Sequence, residues 1–120
     1  MKDNVIKEKS LSFAVRIVNL YKFLTQDQKE LVMSKQILRS GTSIGANIRE
    51  AEQAQSRADF ISKLSIALKE ANETEYWLEL LSKTEYITQS QYSSINEECI
   101  ELNKILISII KTTKLKSIDK

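Results

Sequence analysis

Apolar residues recur along this chain at alternating steps of three and four, the spacing that lines side chains along one face of an α-helix. One stripe runs through Leu11, Ala14, Val18 and Tyr21, and a second through Ile37, Gly41, Ile44, Ile48 and Ala51. A third contains Phe60, Leu64, Ala67, Ala71, Thr74, Leu78 and Leu81, and a fourth Tyr92, Ile95, Cys99, Leu102, Leu106 and Ile109. Between them lie three places where a Ser or Thr is followed three residues later by an amide or acid: Thr25 with Gln28, Ser56 with Asp59, and Thr88 with Gln91. Such a hydroxyl accepts from an orphan backbone N–H at a helix start, and the longer side chain reaches back to the cap. Stripes and caps together predict helices over roughly 5–24, 27–55, 57–85 and 89–115. Joined by short loops, they form a single all-α domain over 1–120, an up-down-up-down antiparallel four-helix bundle. A repeat near 3.5 residues favours crossing angles of about 20° and left-handed supercoiling.

Two elements carry more than one reading. Helix 2 contains Ser40-Gly-Thr-Ser-Ile-Gly-Ala46, poor helix formers in which each Gly costs about 1 kcal/mol relative to Ala. Either the helix breaks there, or the small residues admit a close neighbour. Ile37, Ile44 and Ile48 keep phase across the segment, which predicts a continuous helix with Gly41 and Gly45 as packing positions. Helix 1 shows a second apolar stripe, Phe13, Ile17, Leu20 and Leu24, and helix 4 reads Ile105-Leu-Ile before Ile109-Ile110, apolar nearly all round. A bundle buries one broad face per helix, so the surplus predicts subunits that pack together. The alternative is a wide core face plus scattered exposed isoleucines.

Composition agrees with helices and removes much chemistry. There is no Pro, and Gly41 and Gly45 are the only glycines, which is too few for the tight turns of a β protein. Without any His, the chain cannot supply Glu-x-x-His pairs for a di-iron bundle, nor an imidazole base for a Ser or Cys nucleophile. One cysteine, Cys99, makes neither an internal disulfide nor a zinc site, and its place in a core stripe marks it as a small buried hydrophobe. Gly41-Thr-Ser-Ile-Gly45 has neither the spacing nor the Lys of a phosphate-binding loop. No enzyme, metal or cofactor is expected. The charged N-terminus lacks the apolar core of a signal peptide, and Ile105–Ile110 is too short to span a bilayer, so a cytoplasmic protein with no membrane contact is expected.

Charge becomes informative once the chain is folded antiparallel. Net charge is only +2, yet residues 1–13, 46–70 and 104–120 gather at one end with 12 Lys and Arg against 7 Asp and Glu. The other end is acidic. Lys104, Lys111, Lys114, Lys116 and Lys120 of helix 4, with Lys2, Lys7 and Lys9, are the candidate phosphate contacts. Lysines that merely complement the helix dipole would account for two or three of them. A polar line, Arg39, Ser43, Asn47 and Glu50, flanks the helix 2 stripe, and Glu70, Glu73 and Trp77 form a similar line on helix 3, with Arg39 or Arg49 as the expected partner of its carboxylates. It reads either as a ligand or subunit contact or as a hydrogen-bond network fixing helix register.

The segment Gln36-Ile-Leu-Arg-Ser-Gly-Thr-Ser-Ile-Gly-Ala-Asn-Ile-Arg-Glu50, followed by Asp59-Phe60, Ile66-Ala67 and Glu73, resembles the bacterial four helix bundle proteins encoded by intervening sequences of 23S rRNA genes, also called S23-type. The pattern of Arg, Ser-Ile, Asn-Ile and Glu is met at Arg39, Ser43, Ile44, Asn47, Ile48 and Glu50. Two departures are Glu50-Ala51, where the family usually has Glu-Gly, and Lys69-Glu70 in place of Gly-Ser. The resemblance implies a protomer that assembles into a ring-like homopentamer. It also implies kinship with the accessory protein of diversity-generating retroelements, whose basic surface binds nucleic acid and a reverse transcriptase. Two functions are therefore carried forward: a homo-oligomeric RNA- or DNA-binding accessory protein, and an oligomeric scaffold for a partner protein.

Overall fold

The structure, a computed structural model, describes residues 4–118. Four helices follow in order: α1 Asn4–Gln26, α2 Met33–Glu52, α3 Arg57–Lys83 and α4 Gln89–Ile118. Each helix packs against the next, and α4 closes the ring against α1 along the thinnest seam of the bundle. The molecule measures 53 × 22 × 20 Å, so residues of opposite ends are far apart. Its core is the set of expected positions on α2, α3 and α4: Ile37, Ile44, Ile48, Leu64, Ala67, Ala71, Leu78, Leu81, Cys99, Leu102 and Leu106 are all buried. Phe60, Tyr92 and Ile109 pack against its rim, half-buried.

The caps decide where the helices start. Ser56 Oγ accepts from Asp59 N at 3.0 Å, opening α3. Thr88 and Gln91 complete a reciprocal box, with Gln91 N donating to Thr88 Oγ1 at 3.1 Å and Thr88 N to Gln91 Oε1 at 2.8 Å. Thr25 does not behave this way. Its hydroxyl donates back to Tyr21 O at 2.9 Å, so α1 continues to Gln26 and the chain turns at Lys29, where φ is +55°. α2 begins at Met33 rather than 27, because Glu30 supplies the cap. Its carboxylate accepts from the backbone N–H groups of Val32, Met33 and Ser34, the last at 2.7 Å. One carboxylate there satisfies three orphan donors and meets the positive end of the helix dipole.

α2 runs unbroken through Gly41 and Gly45, and both glycines face α1. A Cβ on Gly41 would stand 2.7 Å from Ile17 Cγ1, and one on Gly45 3.3 Å from Ser10 Oγ. That close approach selects the buried face of α1, and it is not the expected one. Ile6, Ser10, Phe13, Ile17 and Leu24 are buried, Leu20 joins them in part, while Leu11 is 53% exposed and Ala14, Val18 and Tyr21 are only half-buried. The stripe read as a surplus for subunit contacts is therefore the core stripe, since Phe, Ile and Leu bury more apolar area than Ala, Val and Tyr in the same space. The large apolar residues α1 leaves outside, among the described residues, are Val5, Leu11 and Val15.

Candidate nucleic-acid interface

The polar line on α2 ties two helices together. Arg39 reaches across to α3, pairing with Glu70 at 3.2 Å and with Glu73, which also accepts from Trp77 Nε1 at 3.1 Å. The Trp77 hydrogen bond, with the Arg39 guanidinium behind it, outweighs partial burial and holds the Glu73 carboxyl below its ordinary range. Ser43 donates to Arg39 O at 2.6 Å and Asn47 donates to Ser43 O at 2.8 Å, both within their own helix. Glu50 pairs with Lys63 of α3 at 3.2 Å. Every side chain of the line is engaged in fastening α2 or joining it to α3.

The basic end separates into two groups. Lys7 pairs with Glu52 at 3.2 Å and Lys9 with Glu101 at 3.2 Å, so these two lysines bridge α1 to its neighbours. On α4, Lys104, Lys111, Lys114 and Lys116 are exposed, and no ion pair engages them among the described residues. Lys2 and Lys120 lie outside the described residues. From Leu102 to Ile118, α4 carries these four lysines and no Asp or Glu. The acidic residues of this helix, Glu97, Glu98 and Glu101, all precede Leu102, and Glu98 and Glu101 are turned toward Arg16 and Lys9 of α1. With Ile100 and Ile107 on the flank beside Asn103, and Leu115 among the lysines, the outer face of α4 is both basic and apolar.

The polar seam between α3 and α4 was not legible in the stripes. Asn103 is buried and donates to Glu75 of α3, while its own Oδ1 has no partner. Burial pushes the Glu75 carboxyl above its ordinary range, with the Asn103 hydrogen bond only partly opposing it. Cys99 donates to Ala71 O at 3.4 Å, and burial pushes its thiol up to about 12, which keeps it protonated and unreactive. A groove of about 310 Å³ between α1 and α4 is floored by Leu20, Phe23, Ile87 and Ile95 and edged by Arg16, which Glu98 already neutralises. Among the described residues no three His, Cys, Asp or Glu side chains could together hold a metal ion, and no helix is long and apolar enough to cross a membrane.

Comparison with known proteins places this geometry. No curated protein matches the chain. A crystal structure of a protein of unknown function from the S23 ribosomal protein family of Bacteroides thetaiotaomicron VPI-5482 is 82% identical, covering 92% of this chain and 99% of that one with a TM-score of 0.91. The model of the 23S rRNA-intervening sequence proteins matches residues 2–108, which include the Arg39–Glu50 motif, α1 to α3 and α4 as far as Ser108. On that match over most of its length, the chain belongs to the 23S rRNA-intervening sequence protein family.

Proposed function

We propose that this protein is a non-enzymatic, self-associating bundle that binds nucleic acid through phosphate contacts from α4. The observation that carries the reading is the unpaired lysine run Lys104, Lys111, Lys114 and Lys116 on a helix half devoid of acid. Lys7, Lys9 and Lys63 pair with carboxylates, while Lys22, Lys29, Lys35 and Lys83, also exposed and without an ion pair among the described residues, stand apart on α1, the following loop, α2 and α3. The four α4 lysines instead leave a concentrated positive field at one end of a 53 Å molecule. Self-association would multiply that field, and the exposed apolar residues Leu11 and Val15 of α1 with Ile100 and Ile107 of α4 supply surface for it, in a homopentamer on the family likeness.

The test replaces Lys104, Lys111, Lys114 and Lys116 by Gln together. All four are exposed, so folding and self-association are expected to survive. Fluorescence anisotropy against RNA and DNA at about 50 mM salt, where phosphate contacts are strong, should show binding by the native chain and its loss in the variant. No native binding there, or unchanged binding by the variant, defeats the reading. Light scattering coupled to gel filtration measures the oligomer directly, and a clean monomer would remove self-association. The second reading, a scaffold for a partner protein, rests on the same exposed apolar residues and gains if nucleic acid is not bound.

A further inference from the structure

We infer that the ligand of the α4 face is a double-helical nucleic acid, bound without regard to sequence; this rests on the phosphate-binding reading above. The first argument is what the face lacks. Single strands are gripped by stacking their bases on aromatic side chains. From Leu102 to the C-terminus α4 has no aromatic residue. Tyr76, the exposed aromatic among the described residues, stands on α3 rather than α4, in edge contact with Trp77. The planar side chains that fix a base pair with two hydrogen bonds in a set geometry are those of Arg, Asn and Gln in reach of a groove. The lysine-bearing half of α4 offers none, because its one amide, Asn103, is buried against Glu75.

What the face has points the same way. Lys104, Lys111 and Lys114 form a rigid helical row with a rise of about 15 Å, and Lys116 extends the charge round the helix. A duplex presents one phosphate charge per about 1.7 Å of axis on two strands held at fixed separation, so a straight row meets several phosphates at no cost in ordering the ligand. A single strand offers half that charge density and must be straightened to match. Ser108 and Thr112 are exposed one helical turn apart beside the lysines, and their hydroxyls donate to phosphate or sugar oxygens regardless of the base attached.

The experiment titrates the full-length protein into labelled oligonucleotides of equal length at about 50 mM salt: two DNA duplexes of different sequence, an RNA duplex, poly-dT and poly-U. Duplexes should bind about tenfold tighter than single strands, and the two DNA duplexes should agree within about twofold, because phosphate contacts carry no sequence information. Lys111→Gln should reduce the slope of log affinity against log salt for the duplex by about one. Single strands binding as well as duplexes, or strong preference between the two duplex sequences, overturns the inference while the phosphate-binding reading stands. Binding to none of the five overturns both. Duplex binding that survives Gln at all four lysines, with helicity by circular dichroism unchanged, places the ligand on another face and overturns both as well.

Discussion

Gly41→Ala tests the closest helix contact in the molecule. The new Cβ would lie 2.7 Å from Ile17 Cγ1, 2.9 Å from Cγ2 and 3.1 Å from Cδ1. Two of those atoms are bonded directly to the Ile17 Cβ, and Ile17 is fully buried, so no rotation of a free chain end relieves the clash. Overpacking of this kind costs about 1–3 kcal/mol, against a gain of about 1 kcal/mol from replacing Gly by Ala in a helix. The expected net effect is a loss of up to about 2 kcal/mol, the overpacking term winning. Gly45→Ala is the internal control. Its Cβ meets Ser10 Oγ at 3.3 Å, a contact that a shift of a few tenths of an ångström relieves, so the substitution should be neutral or stabilise by up to about 1 kcal/mol. Urea unfolding by circular dichroism gives both values from the midpoint at constant slope. Ile17→Ala supplies the second arm: it removes all three clashing atoms, so its cost of about 2–5 kcal/mol should shrink in the Gly41→Ala background. A Gly41→Ala protein more stable than the native chain, with no coupling to Ile17, would refute the contact.

Three further substitutions follow, two of them outside that seam. Glu30→Ala should cost about 0.5–2 kcal/mol by removing the α2 cap. Although burial alone would raise it, the Glu30 carboxyl is held low by the backbone N–H groups of Met33, Ser34 and Val32. Its contribution should therefore be present above the ordinary carboxylate range and fade as pH falls through the lowered value, so native and Glu30→Ala stabilities converge in acid. Glu75 runs the opposite way. Its carboxyl is raised by burial, so its folded state favours the proton and loses that advantage as pH rises. Glu75→Gln, which keeps an acceptor for Asn103, should stabilise the protein at neutral pH and lose that benefit in acid, as chemical denaturation across pH will show. Gly45→Leu should cost about 1–3 kcal/mol by forcing α1 away, and a stabilised variant would mean that this face of α2 is open to solvent.

The fold was legible because three of the four helices bury the stripe that their own spacing marks. α1 was not, and the reason is physical. Both of its stripes have the right period, and period alone does not rank Leu11-Ala14-Val18-Tyr21 against Phe13-Ile17-Leu20-Leu24. The choice is made by α2: glycines at 41 and 45 leave a groove that accepts Ile17 and Ser10, so the face of α1 that enters is set by its neighbour's missing side chains. Gly41 and Gly45 were read as packing positions, yet which side chains they admit is a property of two helices together. The start of α2 failed for a related reason. A Thr–Gln pair at 25 and 28 matches a capping box, but Thr25 is still inside α1, where its hydroxyl bonds Tyr21 O and competes with the capping role. Glu30 has no such conflict, and its longer side chain gathers three N–H groups from beyond the turn. The candidate site divides along the same line. That Glu70 and Glu73 would pair with an arginine of α2 was readable, because opposite charges flank adjacent core stripes, but the spacing left Arg39 and Arg49 both open and the structure selects Arg39. Which lysines are spent on the fold was not, since Lys7, Lys9 and Lys104 look alike in a charge count. Only the placement of Glu52 and Glu101 beside α1 separates the two that are neutralised from the α4 lysines, which no ion pair engages among the described residues.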